Sequence, residues 1–186
     1  YYQETYYGGL LMYFSSFPTI PYDSVGNGDF KMVTNLLKRV SIRSKVKANV
    51  SVFDTYDVKE GETPEMIADK LYDDSQLHWI VLMMNNITDR YHQWPKNNNQ
   101  FLAFIGDKYD NPQGIHHYEI NQVSGDTTIK IDIGTDNTDY PTATPITNWN
   151  YEEERQDALR KIRLLDARYI EDFVAEFEQL IGESLL

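Results

Sequence analysis

The chain has 186 residues, with 29 acidic against 17 basic side chains, a net charge of −12 and no cysteine. That length admits one domain with extensions or two small domains. The acidic balance argues against a nucleic-acid binder, because phosphates are contacted chiefly by clustered lysine and arginine. The one basic cluster, Lys38, Arg39, Arg43, Lys45 and Lys47, reads as a solvated face or a contact with an acidic partner. Without cysteine, disulfide and thiolate chemistry are excluded and the redox compartment stays open. There is neither a secretory h-region nor a run of roughly 18 apolar residues, so no membrane span and no export signal are expected. The first residue is Tyr1 rather than Met, so a start preceding it is expected.

Residues 11–23 begin β-like and then carry Pro18 and Pro21, which predicts an extended segment laid over another surface. Gly26-Asn27-Gly28 is a turn; a phosphate loop would need a third glycine and a βαβ frame. Residues 30–43 place Val33, Leu36, Leu37 and Val40 at helical spacing but with a β-branched continuation, so a short helix and a strand both stay open there, the helix preferred.

The strongest pattern is residues 56–87. Phe53, Tyr56 and Val58 form a short β-prone run that residues 59–62 close with a turn. Thr63 suits an N-cap, Pro64 the first helical position and Glu65 the positive helix end. Ile67 with Leu71, and Ala68 with Tyr72, give that helix an apolar stripe. After Asp73-Asp74-Ser75, a second helix containing Leu77 and residues 79–84 is apolar on nearly every face, as a central or clamped helix is. Residues 88–95 read as a polar, aromatic loop. A helix from about residue 97 to 109 then has Phe101, Leu102, Ile105 and Tyr109 on its apolar face.

Residues 115–123 and 127–133 flank Ser124-Gly125-Asp126 as a β-hairpin, followed by a loop at 136–145. Glu152, Glu153 and Glu154 read as an exposed charged turn or helix start. Leu159, Ile162, Leu164 and Leu165 lead to Asp166, a capping position, before an amphipathic helix carrying Ile170, Phe173, Val174, Phe177, Leu180 and Ile181 and ended by Gly182.

No catalytic, cofactor or metal site stands out. His116 and His117 are neighbours in a predicted strand, where they should point to opposite faces and not share a metal. Residues 132–139 hold oxygen ligands but lack the order and closing glutamate of an EF-hand, so a solvated turn is expected. There is no Gly-x-Ser-x-Gly elbow and no Walker loop. Carboxylate pairs for glycoside cleavage remain open, because such pairs are spatial and nothing singles out two of the acids. The fourteen tyrosines, eight phenylalanines and three tryptophans supply either contact area for partners or an aromatic core.

Tyr56, Val58, Gly61-Glu62-Thr63, Ile67-Ala68, Trp79-Ile80 and Asn85 resemble a LysM module, whose usual role is binding glycans such as peptidoglycan or chitin. Residues 86–95 depart from the usual LysM ending, so no glycan-binding residue carries over. Met12-Tyr13-Phe14, residues 17–22, residues 78–86, and residues 160–165 through Phe173 and Phe177 resemble, in the same order, the LysM-containing base plate wedge subunit of contractile-tailed, T-even-like phages, the gene-product-fifty-three family. Residues 1–9 form an extension outside that likeness.

The resemblance implies a non-enzymatic structural protein of the virion tail, assembled in the host cytoplasm. It would join neighbouring wedges around the hub of a six-fold ring by contacts with other wedge subunits, and would bind neither nucleic acid nor membrane. A related contractile injection system stays open, and the glycan-binding module is the alternative. The expected fold is α+β: an extended N-terminal arm (1–50), a central LysM-like βααβ domain (51–110), a β-hairpin and loop (111–148), and a C-terminal strand plus amphipathic helix (149–186). Expected contact residues are Tyr13, Phe14, Phe17 and Tyr22 in the arm, Trp79, Tyr91 and Trp94 near the second helix, and Phe173 and Phe177 at the end.

Overall fold

A computed structural model describes residues 13–42 and 52–183. Residues 1–9, Leu11, Met12, Arg43, Lys45 and Lys47 lie outside the described residues. In chain order the elements are a 3-10 turn Tyr13–Ser16, strands β1 Thr19–Tyr22, β2 Lys31–Thr34 and β3 Phe53–Asp57, then helices α1 Pro64–Tyr72, α2 His78–Met84, α3 Arg90–Gln93 and α4 Asn98–Lys108. Strands β4 Ile115–Asn121, β5 Lys130–Asp132 and β6 Thr144–Thr147 follow, then α5 Asn148–Arg160, β7 Lys161–Leu165 and α6 Ile170–Glu183. The fold is α+β. Two compact units divide it: Tyr1–Tyr56, Glu62–Arg90 and Ile162–Leu186 form the first; Asp57–Gly61 and Tyr91–Lys161 form the second.

In the first unit α1 begins where its sequence dictates: the Thr63 hydroxyl accepts from the Met66 amide and Pro64 needs no partner. Ile67 and Ala68 are fully buried, whereas Leu71 at the rim of the stripe is 37% exposed. Asp73 ends the helix at φ 55, and the Asp74 carboxylate caps the turn leading into α2. Trp79, Ile80, Val81 and Met84 are buried, as the all-round apolar pattern requires. At the end of α2, Asn86 takes φ 55 while the Ile87 amide donates to Leu82 O and the Asn86 amide to Met83 O, a Schellman ending.

The strand paired with β3 is β7, which the chain supplies only after residues 91–160 have intervened. Asn85 holds it there. Its Nδ2 donates to Val81 O and to Arg163 O, and its Oδ1 accepts from the Arg163 amide, each at 2.8 Å. Replacing Asn85 by alanine strands these backbone groups, and urea unfolding is expected to show a loss of about 2 kcal/mol. Tyr72 adds a second tie, donating to Leu165 O at 3.0 Å, and burial pushes its hydroxyl up to about 12.

Several sequence expectations are corrected here. Residues 30–42 do not form a helix. Lys31–Thr34 pairs antiparallel with β1, Ile20 opposite Val33 and Tyr22 opposite Lys31, and ladder bonds to β1 override the helical spacing of Val33, Leu36 and Leu37. The loop at 88–95 contains the one-turn helix α3.

In the second unit, Asn97 and Gln100 form a reciprocal capping box at the start of α4, whose Phe101 and Ile105 are buried. Leu102 is 48% exposed. The hairpin β4–β5 pairs Glu119 with Asp132, and β6, partly within the expected 136–145 loop, joins the other edge of β4. Glu152–Glu154 is no turn or helix start. The Thr147 side chain caps α5 one turn earlier, so these residues lie inside the helix and Glu152 is 1% exposed.

Candidate protein-interaction surfaces

The expected contact residues fall into distinct environments. Tyr13, presented by the N-terminal 3-10 turn, lies 5.0 Å from Phe14 and from Phe17, 5.3 Å from Trp79 and 5.5 Å from Phe177, ring centroid to centroid. Trp79 in turn is 4.6 Å from Phe177 and 5.9 Å from Phe173. The arm, α2 and α6 thus meet in one aromatic cluster within the first unit. Burial raises the Tyr13 hydroxyl, partly opposed by the positive charge of Arg39. Ser16 fastens the arm further by donating to Glu178 of α6 at 3.1 Å.

Phe17, Trp79 and Phe177 are buried and Phe173 is half-buried, while Phe14 and Tyr22 are 57% and 55% exposed. The Trp79 indole N–H is buried and meets no acceptor among the described residues. In the second unit Tyr91 is 85% exposed, whereas Trp94, close to it in sequence, is buried. The likeness to wedge subunits brings these nine aromatic residues forward as one class; the structure separates an internal cluster from exposed rings.

The β1–β2 ribbon adds residues that sequence reasoning missed. Nearly all its positions are exposed, and Phe30, Met32, Leu36 and Leu37 in and beside it are each more than 60% exposed. A two-stranded ribbon is marginal in water by itself, and exposed apolar clusters mark association surfaces. The available signal was Lys31-Met32-Val33-Thr34 facing Thr19-Ile20-Pro21-Tyr22 across a glycine-containing turn. In that turn the Asp23 carboxylate accepts from the amides of Val25, Gly26 and Gly28, which holds its pKa below the usual carboxylate value. The amides that an incoming phosphate would need are therefore occupied.

The histidine pair also departs from expectation. A register shift between Ile115 and His117 interrupts the strand alternation, so the two rings meet instead of pointing to opposite faces: Nδ1 to Nδ1 is 2.9 Å. His116 stacks on Tyr151 at 3.8 Å, and His117 Nε2 contacts Glu119 at 3.2 Å. Among the described residues no group of three or more His, Asp or Glu side chains converges as a metal site. Asp132 ends β5 and residues 133–139 run on as an irregular loop in which Asp136 accepts from the Thr138 amide and hydroxyl. No helix among the described residues is long and apolar enough to cross a membrane.

A comparison with curated proteins gives no match. The family described as base plate wedge protein 53, a phage family, matches residues 12–140, which take in the arm from residue 12 onward, the ribbon, α1 to α4 and the β4–β5 hairpin. With well over half of its length inside that match, the chain belongs to the family of phage base plate wedge protein 53.

Proposed function

We propose that this wedge protein is a non-enzymatic structural subunit that joins neighbouring wedges around the hub of a six-fold, T-even-like contractile tail base plate. The family match carries the reading, and the exposed apolar ribbon supports it. Phe14, Tyr22 and Tyr91 offer aromatic contact area to neighbouring subunits, and the cluster of Tyr13, Phe17, Trp79, Phe173 and Phe177 anchors the arm from which the ribbon follows. Its partners are other wedge subunits, met in the host cytoplasm during assembly and retained in the virion tail.

The order strand, helix, helix, strand, with β7 as the closing strand, supports a LysM-like block. In this setting that block is a scaffold for protein contacts. The likeness of residues 160–165, Phe173 and Phe177 to wedge subunits lies beyond the matched 12–140 and belongs to the same proposal.

Co-expression with the other wedge proteins tests it. The tagged chain is expected to co-purify with them, and Met32→Asp with Leu37→Asp on the exposed ribbon to weaken that association without lowering the unfolding midpoint. Saturable sedimentation with peptidoglycan or chitin beads, together with no wedge association, would favour the glycan-binding alternative and end this reading.

A further inference from the structure

The second unit contains a small cavity of about 140 Å³, open to solvent. Cofactor-sized sites run to several hundred Å³, so this volume suits a single side chain. One wall is a single face of α5, on which Trp149, Glu153, Gln156, Asp157 and Arg160 recur at helical spacing. Phe101 of α4 meets Trp149 edge-on, centroids 5.2 Å apart at 77°.

The charges around the cavity are unevenly matched. Arg160 is engaged with Glu60 at 3.1 Å and with Val58 O at 3.3 Å, and stands 3.9 Å from Asp157. Lys96 turns its ammonium over the Phe104 ring at 4.7 Å and donates to Tyr91 O at 3.4 Å. Glu153 makes no ion pair among the described residues, and Asp157, its side chain 68% exposed, has only the long contact with Arg160. Gln156 is 7% exposed. Its Oε1 accepts from the Lys96 amide at 2.8 Å, which leaves its Nε2 without a hydrogen-bond partner among the described residues.

We infer that this cavity receives an arginine side chain from a neighbouring base plate protein, its guanidinium held by Glu153 and Asp157 beside Trp149. A guanidinium fits because it is planar, stacks on aromatic rings and forks onto carboxylates. The Gln156 Nε2 amide then donates to a backbone carbonyl of the incoming segment. A net charge of −12 steers a basic partner toward the chain. Only the identity of the partner rests on the wedge reading above.

The full chain with 15N-labelled tryptophan is titrated with N-acetyl-argininamide while the Trp149 indole resonance is followed. A saturable shift is expected. It should weaken at least about tenfold in Glu153→Gln with Asp157→Asn, two exposed positions whose replacement leaves the unfolding midpoint unchanged. N-acetyl-citrullinamide, of the same shape without the charge, should give no shift. Absence of saturation, equal binding by the double variant, or a shift produced by chitotriose in place of argininamide would overturn the inference. Failure here with wedge association intact removes the cavity and leaves the wedge reading; argininamide binding without wedge association does the reverse.

Discussion

Phe177→Ala is expected to lower the stability of the first unit by about 3–5 kcal/mol, the range for truncating a buried phenylalanine, read as a fall in the urea midpoint. Phe177 is 3% exposed and stands within 6.4 Å, centroid to centroid, of Tyr13, Phe17 and Trp79. Removing its ring empties the point where the arm, α2 and α6 meet, so both a transfer loss and an unfilled cavity are expected. Trp79 fluorescence should change at the same time, because its nearest aromatic neighbour is gone. Phe14→Ala is the control: with the ring 57% exposed, a change within about 0.5 kcal/mol is expected. A Phe177→Ala midpoint equal to that of the control would show that the cluster does not hold the unit together. Since the arm leads into the apolar ribbon, Phe177→Ala is also expected to reduce wedge co-purification, although Phe177 itself is buried.

Glu152→Ala is expected to cost about 3 kcal/mol in the second unit. The Glu152 side chain is 2% exposed and its Oε1 accepts from Lys108 Nζ at 2.5 Å and Tyr109 Oη at 2.9 Å, with Arg155 at 3.7 Å from the other oxygen. Breaking a buried pair from one side leaves the other charge uncompensated, a loss of roughly 3–5 kcal/mol. The lower end applies here because the Lys108 side chain is 39% exposed and regains water. Burial alone would raise the Glu152 pKa, but the bonds from Lys108 and Tyr109 and the charges of Lys108 and Arg155 outweigh it and hold the carboxyl below the ordinary glutamate value. A depressed folded pKa means that this stabilisation is complete above the pH at which the unfolded glutamate ionises, about 4.3. It fades as pH falls through the folded value. Unfolding free energy measured from neutral pH into the acid range should fall less steeply in Glu152→Gln than in the unsubstituted chain. Parallel curves would mean that the carboxylate is not what these bonds require.

Asp166 contributes in the same direction. Bonds from the Arg168 side chain and amide bring its pKa down to about 2, so its interactions persist further into acid than those of an ordinary aspartate. It is the cap expected from the sequence, although it starts the 3-10 turn Ala167–Tyr169 that leads into α6.

Local signals fixed the elements whose causes are local. Thr63-Pro64 starts α1, Asn97 with Gln100 starts α4, and the apolar periodicity of residues 170–181 gives α6, because capping and amphipathicity act within one or two turns of chain. The α+β class and the family likeness were legible for the same reason. What went astray depends on partners distant in sequence. Lys31–Thr34 is a strand because β1 lies beside it, and its spacing alone favoured a helix. Glu152 reads as a solvated charge until Lys108 and Tyr109, more than forty residues earlier, close over it. The two histidines face each other because of a bulge opposite β6, which no periodicity announces.

The sequence by itself therefore determined the starts of α1 and α4, the strand–helix–helix core at 56–87 and the likeness to a wedge family, each carried by short local stretches. Only the tertiary structure decided that β7 closes against β3 through Asn85, which aromatic rings are buried and which exposed, and that five residues of α5 line a cavity. The physical reason is that burial, hydrogen-bond satisfaction and charge pairing belong to contacts between segments, and a linear pattern records only one side of each contact.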